Sequence, residues 1–325
     1  MDKVKIAILG SGSIAHAMAR AIMCVPSAEI HSVASRSFDN ATAFAKEFDV
    51  PNVYTFDESI ADSTPDLYYI ALPHPQHYEY AKKCLLLGKN VLCEKPLCIN
   101  AKLAKELFDI AKEKGVFFAD NMWTRFLPAV GIVKKLIADG AIGDVKHVSA
   151  AISENCLGSR MMTDPELAGG MLLDCGIYAL TCIDLLLGRD ISDVQTTACL
   201  SDEGVDLHSV TALTFTDKKT ASLYVSMDSY FPNKITVAGE KGYLEFTCAF
   251  NWKNIGIYGG TDRLVRAVDI PEQKAGGYEY IVSAVCDAVI AGKTYCEEST
   301  PEDTLYILRQ MDALREKWGL KYPME

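Results

Sequence analysis

The feature that most constrains the fold is a glycine turn near the start of the chain, between a short apolar strand and a helix. Residues 5–9 are apolar enough for a buried strand, and residues from Gly12 to about Met23 carry apolar side chains at helical spacing. Between them stands the pattern G-x-G-x-x-A. A strand, this turn and a helix, in that order, are the first unit of a doubly wound parallel sheet.

Each member of this turn has a physical role in an anion site. Gly10 permits a tight turn, and Gly12 leaves no Cβ between the backbone and a pyrophosphate. Ala15 lets the helix pack close to the strand, while the helix N-terminus offers N–H groups and a positive dipole end. A glycine turn without a ligand is the alternative, but the correct flanking strand and helix favour a dinucleotide site. The predicted cofactor contacts here are Gly10, Ser11, Gly12, Ser13, Ile14 and Ala15.

The residues after the second strand indicate which dinucleotide binds. That strand, Glu29 to Ala34, is followed by a serine, an arginine and a serine. An acidic residue here would bond both ribose hydroxyls of NAD and repel an additional phosphate. Arginine can instead hold a 2′-phosphate bidentately and stack on adenine, although a solvated surface arginine is the alternative. We therefore predict NADP, with NAD less favoured, and contacts from Ser35, Arg36 and Ser37.

The pattern of strands and helices changes after about residue 122. Before it, apolar strands alternate with amphipathic helices, which predicts an α/β Rossmann domain with a doubly wound parallel sheet at residues 1–122. After it, β-branched strands follow one another through short breaks, interrupted by a helix from about Met171 to Leu187. This predicts an α+β domain at residues 123–325, with an open, mostly antiparallel sheet. The C-terminal helix, 301–319, could pack back on the first domain.

Two segments carry candidate catalytic groups. Lys95 follows an apolar strand, at a position where a structural turn would more often have Gly, Asn or Asp. Asp174 and Tyr178 are four residues apart among apolar neighbours, so we expect them on one helix face, where burial demands partners. A lysine ammonium beside Tyr178 would favour its phenolate and give an acid/base pair. The alternatives are an exposed lysine, a structural aspartate cap and a core tyrosine.

Three motifs in the same order resemble the glucose–fructose oxidoreductase/inositol dehydrogenase (Gfo/Idh/MocA) family, over essentially the whole chain. They are the glycine turn, Glu94-Lys95-Pro96, and the Gly-Gly-x-x-x-Asp-x-Gly-x-Tyr segment that ends at Tyr178. The resemblance implies that Lys95 is catalytic, that a cis peptide precedes Pro96, and that Glu94 and Lys95 border the cofactor. Most members have His in place of Tyr178. The tyrosine form resembles the branch of dimeric dihydrodiol dehydrogenases and NADP-dependent D-xylose dehydrogenases, where this tyrosine is the acid/base.

The same branch resemblance suggests substrate contacts in the segment 122–128. It implies that Trp123 stacks on an apolar sugar or ring face and that Arg125 hydrogen-bonds the polar side. Asp174 and Tyr178 would complete the substrate site.

The loop after the fourth strand matches the family pattern only in part. Pro73 and His77 agree with it, whereas Leu72 and His74 depart from it. We expect these four residues to border the cofactor ribose. A different role for His77, orienting the Lys95 loop, is also open.

Composition excludes several classes of protein. A net charge of −11 disfavours nucleic-acid binding, because phosphate backbones are held mainly by Lys and Arg. No apolar run approaches the ~20 residues of a membrane span, and no signal-peptide layout opens the chain, so we expect a cytoplasmic location. The 11 cysteines lack C-x-x-C spacing and the 6 histidines lack metal-binding motifs. We expect buried thiols and no metal.

The leading functional prediction is an NADP-dependent oxidoreductase. It would transfer hydride between nicotinamide and a secondary or anomeric hydroxyl of a sugar, polyol or cyclic vicinal diol. A non-catalytic NADP-binding sensor is one alternative, and a family hydrolase or lyase that oxidises a sugar transiently is another. The resemblance implies that a second subunit covers the open sheet, whose outer face we expect to be apolar. We therefore expect a homodimer or homotetramer with a small-molecule substrate.

Overall fold

The computed structural model describes residues 3–260 and 262–325, which divide into two compact units. The first unit extends to Phe126 and also contains Gln273–Leu308, while the second contains Leu127–Glu272 and Arg309–Glu325. The sequence had suggested that every residue after 122 belongs to the second domain. The structure instead places Leu127 as the first residue of the second unit and Gln273–Leu308 in the first unit. The helix Tyr278–Ile290 packs on the first helix and the first two strands of the chain, which joins this stretch to the first unit.

The helices and strands are numbered separately along the chain. The helices are α1 Ser13–Cys24, α2 Phe38–Phe48, α3 Phe56–Ala61, α4 His74–Leu86, α5 Ala101–Lys114, α6 Pro128–Ala138, α7 Arg160–Thr163, α8 Ile177–Leu187, α9 Tyr278–Ile290 and α10 Pro301–Trp318. The strands are β1 Val4–Leu9, β2 Ala28–Ala34, β3 Asn52–Tyr54, β4 Leu67–Ile70, β5 Val91–Cys93, β6 Phe118–Asp120, β7 Val145–Ser153, β8 Ile191–Leu200, β9 Asp206–Phe215, β10 Thr220–Ser226, β11 Lys234–Gly239, β12 Tyr243–Thr247, β13 Lys253–Tyr258 and β14 Leu264–Ala267.

The first unit is built on a six-stranded parallel sheet in the order β3-β2-β1-β4-β5-β6. Strands β1, β4 and β5 are buried except at Lys5 of β1, which explains their mostly apolar sequences. The strand order reverses between β1 and β4, the position at which doubly wound sheets bind ligands. The predicted parallel α/β sheet is confirmed.

Polar side chains define several helix ends in this unit. The Asn100 side chain accepts a bond from the Leu103 N–H at the start of α5, and Gly115 ends that helix with a φ of 67°.

Strand β3 and helix α3 were not predicted from the sequence. A signal for α3 was present, because Thr55 and Glu58 cap it reciprocally.

The second unit contains an eight-stranded sheet in the order β14-β13-β12-β11-β7-β10-β9-β8. Among the described strand pairs, β7 and β10 run parallel and the others antiparallel, so the predicted mostly antiparallel sheet is confirmed. One face is apolar and packs on α8. Its buried side chains include Leu213, Leu223, Val237, Leu244 and Phe246.

The other face of this sheet is polar, so the expectation of an apolar outer face was wrong. One cross-strand row reads Ala212, Ser222, Ser149, Thr236 and Glu245 from β9 to β12. None of these side chains is fully buried. Along β11 and β12 the buried apolar residues occupy alternate positions and face the interior, whereas a few apolar side chains, such as that of Val210, are exposed on the outer face.

The apolar stretch before β8 is not one regular helix. A π turn, Leu172–Gly176, precedes α8, whereas the sequence predicted a continuous helix from Met171 to Leu187. By length and composition, Pro165–Leu187 could cross a membrane, but 72% of its most apolar 18-residue window is buried inside the protein. A core helix accounts for the same composition.

Candidate active site

Five loops at the carboxyl edge of the six-stranded sheet carry the residues predicted for the first domain. The glycine turn follows β1 and Arg36 follows β2. His74 begins α4, just after β4, and Lys95 follows β5. Trp123 follows β6 in the 3₁₀ turn Trp123–Phe126. Parallel strands bring all of these loops to one edge, where ligands bind in open α/β sheets.

The glycine turn leaves space at the N-terminus of α1. Gly10 has a φ of +120°, and a Cβ there would lie 2.2 Å from the carbonyl oxygen of Ala71. Gly12 is the N-cap of α1 and has no side chain to accept bonds from the first turn, which contains no acidic residue. A Cβ on Gly12 would meet no atom within 4 Å. Open space before uncapped N–H groups suits an anionic group such as a pyrophosphate.

The turns after β1 and β2 are joined by a hydrogen bond. The Ser11 hydroxyl donates to the Ser35 hydroxyl at 3.0 Å. The Ser37 hydroxyl accepts from the Asn40 N–H at 3.3 Å and so caps α2. Arg36 lies between these serines and is exposed. Its guanidinium is therefore accessible to a solvent-borne phosphate at this edge.

His77 is fully buried between two loops. Its Nδ1 lies 2.8 Å from the Pro96 carbonyl oxygen, and its Nε2 lies 2.6 Å from that of Leu72. Burial lowers the pKa of His77 to about 4, so the ring is neutral and has one N–H to donate to one of these carbonyls. This placement favours a role in orienting the Lys95 loop and leaves no ring surface for the cofactor. His74 is also buried, with its ring 5.9 Å from that of His77.

Glu94 turns its carboxylate into the interior, although the sequence placed it at the cofactor. The side chain is 5% exposed and accepts bonds from the Tyr69 hydroxyl and the Asn121 amide. The Lys95 N–H also donates to it, at 3.3 Å. Burial raises the pKa of Glu94, while these donors and the charge of Lys95 lower it. These hydrogen bonds join the Lys95 loop to β4 through Tyr69 and to the end of β6 through Asn121.

Lys95 itself is half-buried and is joined to Pro96 by a cis peptide bond. Asn121 was missed by sequence analysis. It had the signal used for Lys95, a polar side chain directly after a buried strand.

Trp123 and Arg125 are buried in the first unit. The Trp123 ring lies against that of Tyr278, with 4.4 Å between centroids. The pKa of the Asp120 carboxyl is raised by burial, and the Thr304 hydrogen bond and the Arg125 charge offset part of that rise. The protein itself therefore supplies an aromatic neighbour for Trp123 and a carboxyl group near Arg125. Their contacts with a substrate stay a prediction.

Asp174 and Tyr178 belong to the second unit. Asp174 lies in the π turn, and the Cys175 thiol is 3.6 Å from its Oδ2. Tyr178 is buried in the first turn of α8, and its ring meets that of Phe250 edge-on at 4.8 Å. The π turn replaces the single regular helix face on which the sequence placed the two residues. The pairing of Lys95 with Tyr178 stays a prediction.

Asp206, the first residue of β9, carries no signal in the sequence that predicts its role. It is fully buried, and its Oδ2 accepts the Leu172 N–H at 2.7 Å, at the start of the π turn. Burial raises the pKa of Asp206 to about 7, although the Leu172 N–H lowers it. The residue follows the polar stretch 201–204, so the sequence alone gives it the character of a solvated turn.

The cysteines are free thiols, and most are buried, as the sequence suggested. In residues 3–260 and 262–325, no group of three or more His, Cys, Asp or Glu side chains is arranged to hold a metal ion.

Comparison with known proteins identifies the family. A model described as "Oxidoreductase family, NAD-binding Rossmann fold" matches residues 4–121, and one described as "GFO/IDH/MocA C-terminal domain" matches residues 131–245. The trans-1,2-dihydrobenzene-1,2-diol dehydrogenase of Bos taurus is 33% identical over 72% of this chain and 71% of its own length. That of Xenopus laevis is 28% identical over 98% of this chain and 99% of its own.

Solved structures with the same fold lead to the same family. The protein KijD10, a 3-ketoreductase from Actinomadura kijaniata in complex with NADP and TDP-benzene, superimposes with a TM-score of 0.88. It is 25% identical, and the match covers 97% of this chain and 98% of KijD10. The predictions of family and of oxidoreductase activity are therefore confirmed. The chain belongs to the Gfo/Idh/MocA family of oxidoreductases, with an NAD(P)-binding Rossmann fold in its N-terminal part.

Proposed function

We propose that this protein is an NADP-dependent dehydrogenase or reductase that acts on a CH–OH group of a sugar, polyol or cyclic vicinal diol. The observation that carries the proposal is the half-buried Lys95 at the carboxyl edge of the Rossmann sheet, at the end of a strand near the point of reversal. Named relatives support the substrate class, since they include diol dehydrogenases and a 3-ketoreductase. When bound, the nicotinamide accepts or supplies the hydride.

The residues at this edge fit a dinucleotide with a 2′-phosphate. The uncapped N-terminus of α1 and the space before Gly12 would accommodate the pyrophosphate. Arg36 is exposed between two hydroxyls and can bind a phosphate with two parallel N–H bonds. No acidic residue stands among Ser35, Arg36 and Ser37 to bond the ribose hydroxyls of NAD. These features support NADP as the cofactor.

Lys95 and Tyr178 would move the proton. In the oxidative direction, the Tyr178 oxygen would take the proton of the substrate hydroxyl. The Lys95 ammonium would stabilise the developing negative charge on oxygen and favour the ionised phenol. Asp174 would contribute a polar side chain to the same site.

A homodimer is the proposed state of the protein, with a second copy covering the polar outer face of the eight-stranded sheet. At the margin of this face lies Phe231, 53% exposed, with its ring 5.2 Å from that of Tyr224 on β10. Tyr230 beside it is 82% exposed. Two neighbouring exposed aromatic side chains are typical anchors of protein interfaces.

Replacing the two glycines of the turn separately should separate folding from binding. Gly10→Ala should lower the melting temperature markedly, because its Cβ would meet the Ala71 carbonyl oxygen at 2.2 Å. Gly12→Ala should fold normally but weaken NADP binding by about tenfold or more, because its Cβ enters space needed by the pyrophosphate. Calorimetry and fluorescence titration measure the two effects. Gly131→Ala in α6, where a Cβ meets nothing, is the control. Unchanged NADP affinity in Gly12→Ala contradicts the assignment.

Arg36→Asp should change the cofactor preference. We expect KM for NADP to rise about tenfold or more and KM for NAD to change less than about threefold, since a carboxylate repels the 2′-phosphate and can bond ribose hydroxyls. Initial rates with both cofactors give the ratio. Arg263→Asp, an exposed charge reversal in the second unit, controls for net charge. A preference that does not move places the 2′-phosphate elsewhere.

Lys95→Met and Tyr178→Phe should each lower kcat by about 10²-fold or more while NADP binding stays nearly intact. If the two groups act together, the double variant should lose little more than either single variant. Turnover is read as NADPH absorbance with a panel of aldoses, inositols and dihydrodiols. Lys105→Met, exposed on α5, is the matched control. Independent, multiplicative losses would contradict the pair, and product formation without NADPH would favour the hydrolase or lyase alternative.

Ala212→Arg should convert the dimer into a monomer, because it places a charged, bulky side chain on the outer sheet face, on β9 between β10 and the edge strand β8. Light scattering after size-exclusion chromatography should give twice the chain mass for the parent protein and one chain mass for the variant. Ala141→Arg, an exposed position after α6, is the control. A parent protein of one chain mass contradicts the proposal.

A further inference from the structure

The helical segment with Asp174 and Tyr178 begins at a pair of glycines held by a buried carboxylate. The Asp206 Oδ2 accepts the Leu172 N–H at 2.7 Å. Gly170 has a φ of +110°, and a Cβ there would lie 2.2 Å from the Asp206 Oδ1. The Asp206 carboxylate therefore occupies the space that a side chain at position 170 would need, so that position requires glycine.

A second contact holds the same glycines from the C-terminal part of the chain. The buried Tyr322 hydroxyl donates to the Gly169 carbonyl oxygen at 2.7 Å. Arg315 forms ion pairs with Glu325 at 2.8 Å and with Asp312 at 2.9 Å. Its positive charge also favours the ionised form of Asp206. The start of the segment is thus fixed by groups 34 and 153 residues away in the chain.

Packing alone gives this segment little rotational preference. Residues 177–183 of α8 are all buried, so this part of the helix meets the protein interior around its whole circumference. The hydrophobic effect is non-directional, so it specifies the rotation of such a helix less sharply than hydrogen bonds do. The π turn adds a residue to one helical turn. Gly176 leaves space there for the Leu172 side chain, whose Cδ1 would lie 2.9 Å from a Cβ at position 176. Directional bonds at the N-terminus therefore help to set the rotation, together with the Trp252 indole N–H, which donates to the Cys182 Sγ at 3.2 Å.

Burial of the Asp206 carboxylate has a cost in stability. Burial raises its pKa to about 7, above the value of an unfolded aspartate. The folded chain then binds this proton more tightly than the unfolded chain, so stability falls as the pH rises through the range between the two pKa values. An apolar side chain would avoid that cost but could not accept the Leu172 N–H.

We propose that Asp206 is a positioning residue, whose carboxylate pins the first turn of the segment from Leu172 to Leu187 and so sets the directions of Asp174 and Tyr178. The inference rests on the proposed function in that Tyr178 transfers the proton. Asp206 acts as a hydrogen-bond acceptor, so an amide oxygen at the same position can replace it.

Asp206→Ala and Asp206→Asn distinguish this role from a merely structural one. Alanine should lower kcat about tenfold or more, because a misdirected catalytic group loses its reaction geometry. Its KM for NADP should stay within about twofold. Asparagine should keep kcat within about threefold of the parent protein. Both are assayed at a temperature where circular dichroism shows them folded. Val237→Ala, a core truncation in β11, controls for lost stability, and Asp193→Asn, exposed on β8, controls for lost charge.

Amide exchange of the peptide 170–178, followed by mass spectrometry, tests the anchor without any assay of activity. Exchange should accelerate in Asp206→Ala and in Gly170→Ala, and stay near the parent rate in Asp206→Asn. Equal exchange in all variants, an unchanged kcat in Asp206→Ala, or equal losses in the alanine and asparagine variants overturns the proposal. A parent protein that neither reduces NADP with any substrate of the panel nor oxidises NADPH with the corresponding ketones contradicts the proposed function instead. The exchange comparison then still decides whether Asp206 anchors the segment.

Discussion

The turn after β1 passes so close to the end of β4 that residue 10 has to be glycine. The Ala71 carbonyl oxygen occupies the space that a side chain would need, and the φ of +120° disfavours any other residue. This contact exists because β1 and β4 are neighbours at the point where the strand order reverses. The same adjacency gathers the loops after five parallel strands at one edge. Every candidate group of the first unit therefore depends on it.

Below this edge, buried polar groups hold the loops in fixed positions. Glu94, His77 and Asp120 are each buried, and each has hydrogen-bond partners in a different loop or strand. A buried polar group without a partner costs free energy, so each pairing restricts the backbone that supplies the partner. Lys95 follows Glu94 directly and precedes the carbonyl that faces His77. The Lys95 side chain thus extends from a backbone that hydrogen bonds join to neighbouring strands and loops. Such preorganisation favours the stabilisation of charge.

The parts of the fold that could be predicted are those that local sequence determines. The parallel sheet, the glycine turn and the position of Lys95 after β5 follow from short apolar strands and the residues that end them. Helix α9 could not be found in this way. Its residues Ile281, Val282 and Val285 are β-branched and favour strands, and the helix forms because it packs on α1 and on the 3₁₀ turn Trp123–Phe126. Asp206 was missed for a similar reason, since its partner is 34 residues away.

The two candidate catalytic regions differ in how their geometry is encoded. In the first unit, position along the chain is nearly sufficient, because a residue that follows a parallel strand must lie at the carboxyl edge. In the second unit, the direction of a side chain depends on the rotation of an apolar helix, which neither periodicity nor burial specifies. Distant polar groups contribute that information through Leu172 and Gly169, and also through Cys182, whose Sγ accepts the Trp252 indole N–H. A motif can therefore identify Asp174 and Tyr178 as candidates, whereas the residues that aim them become visible only in the folded chain.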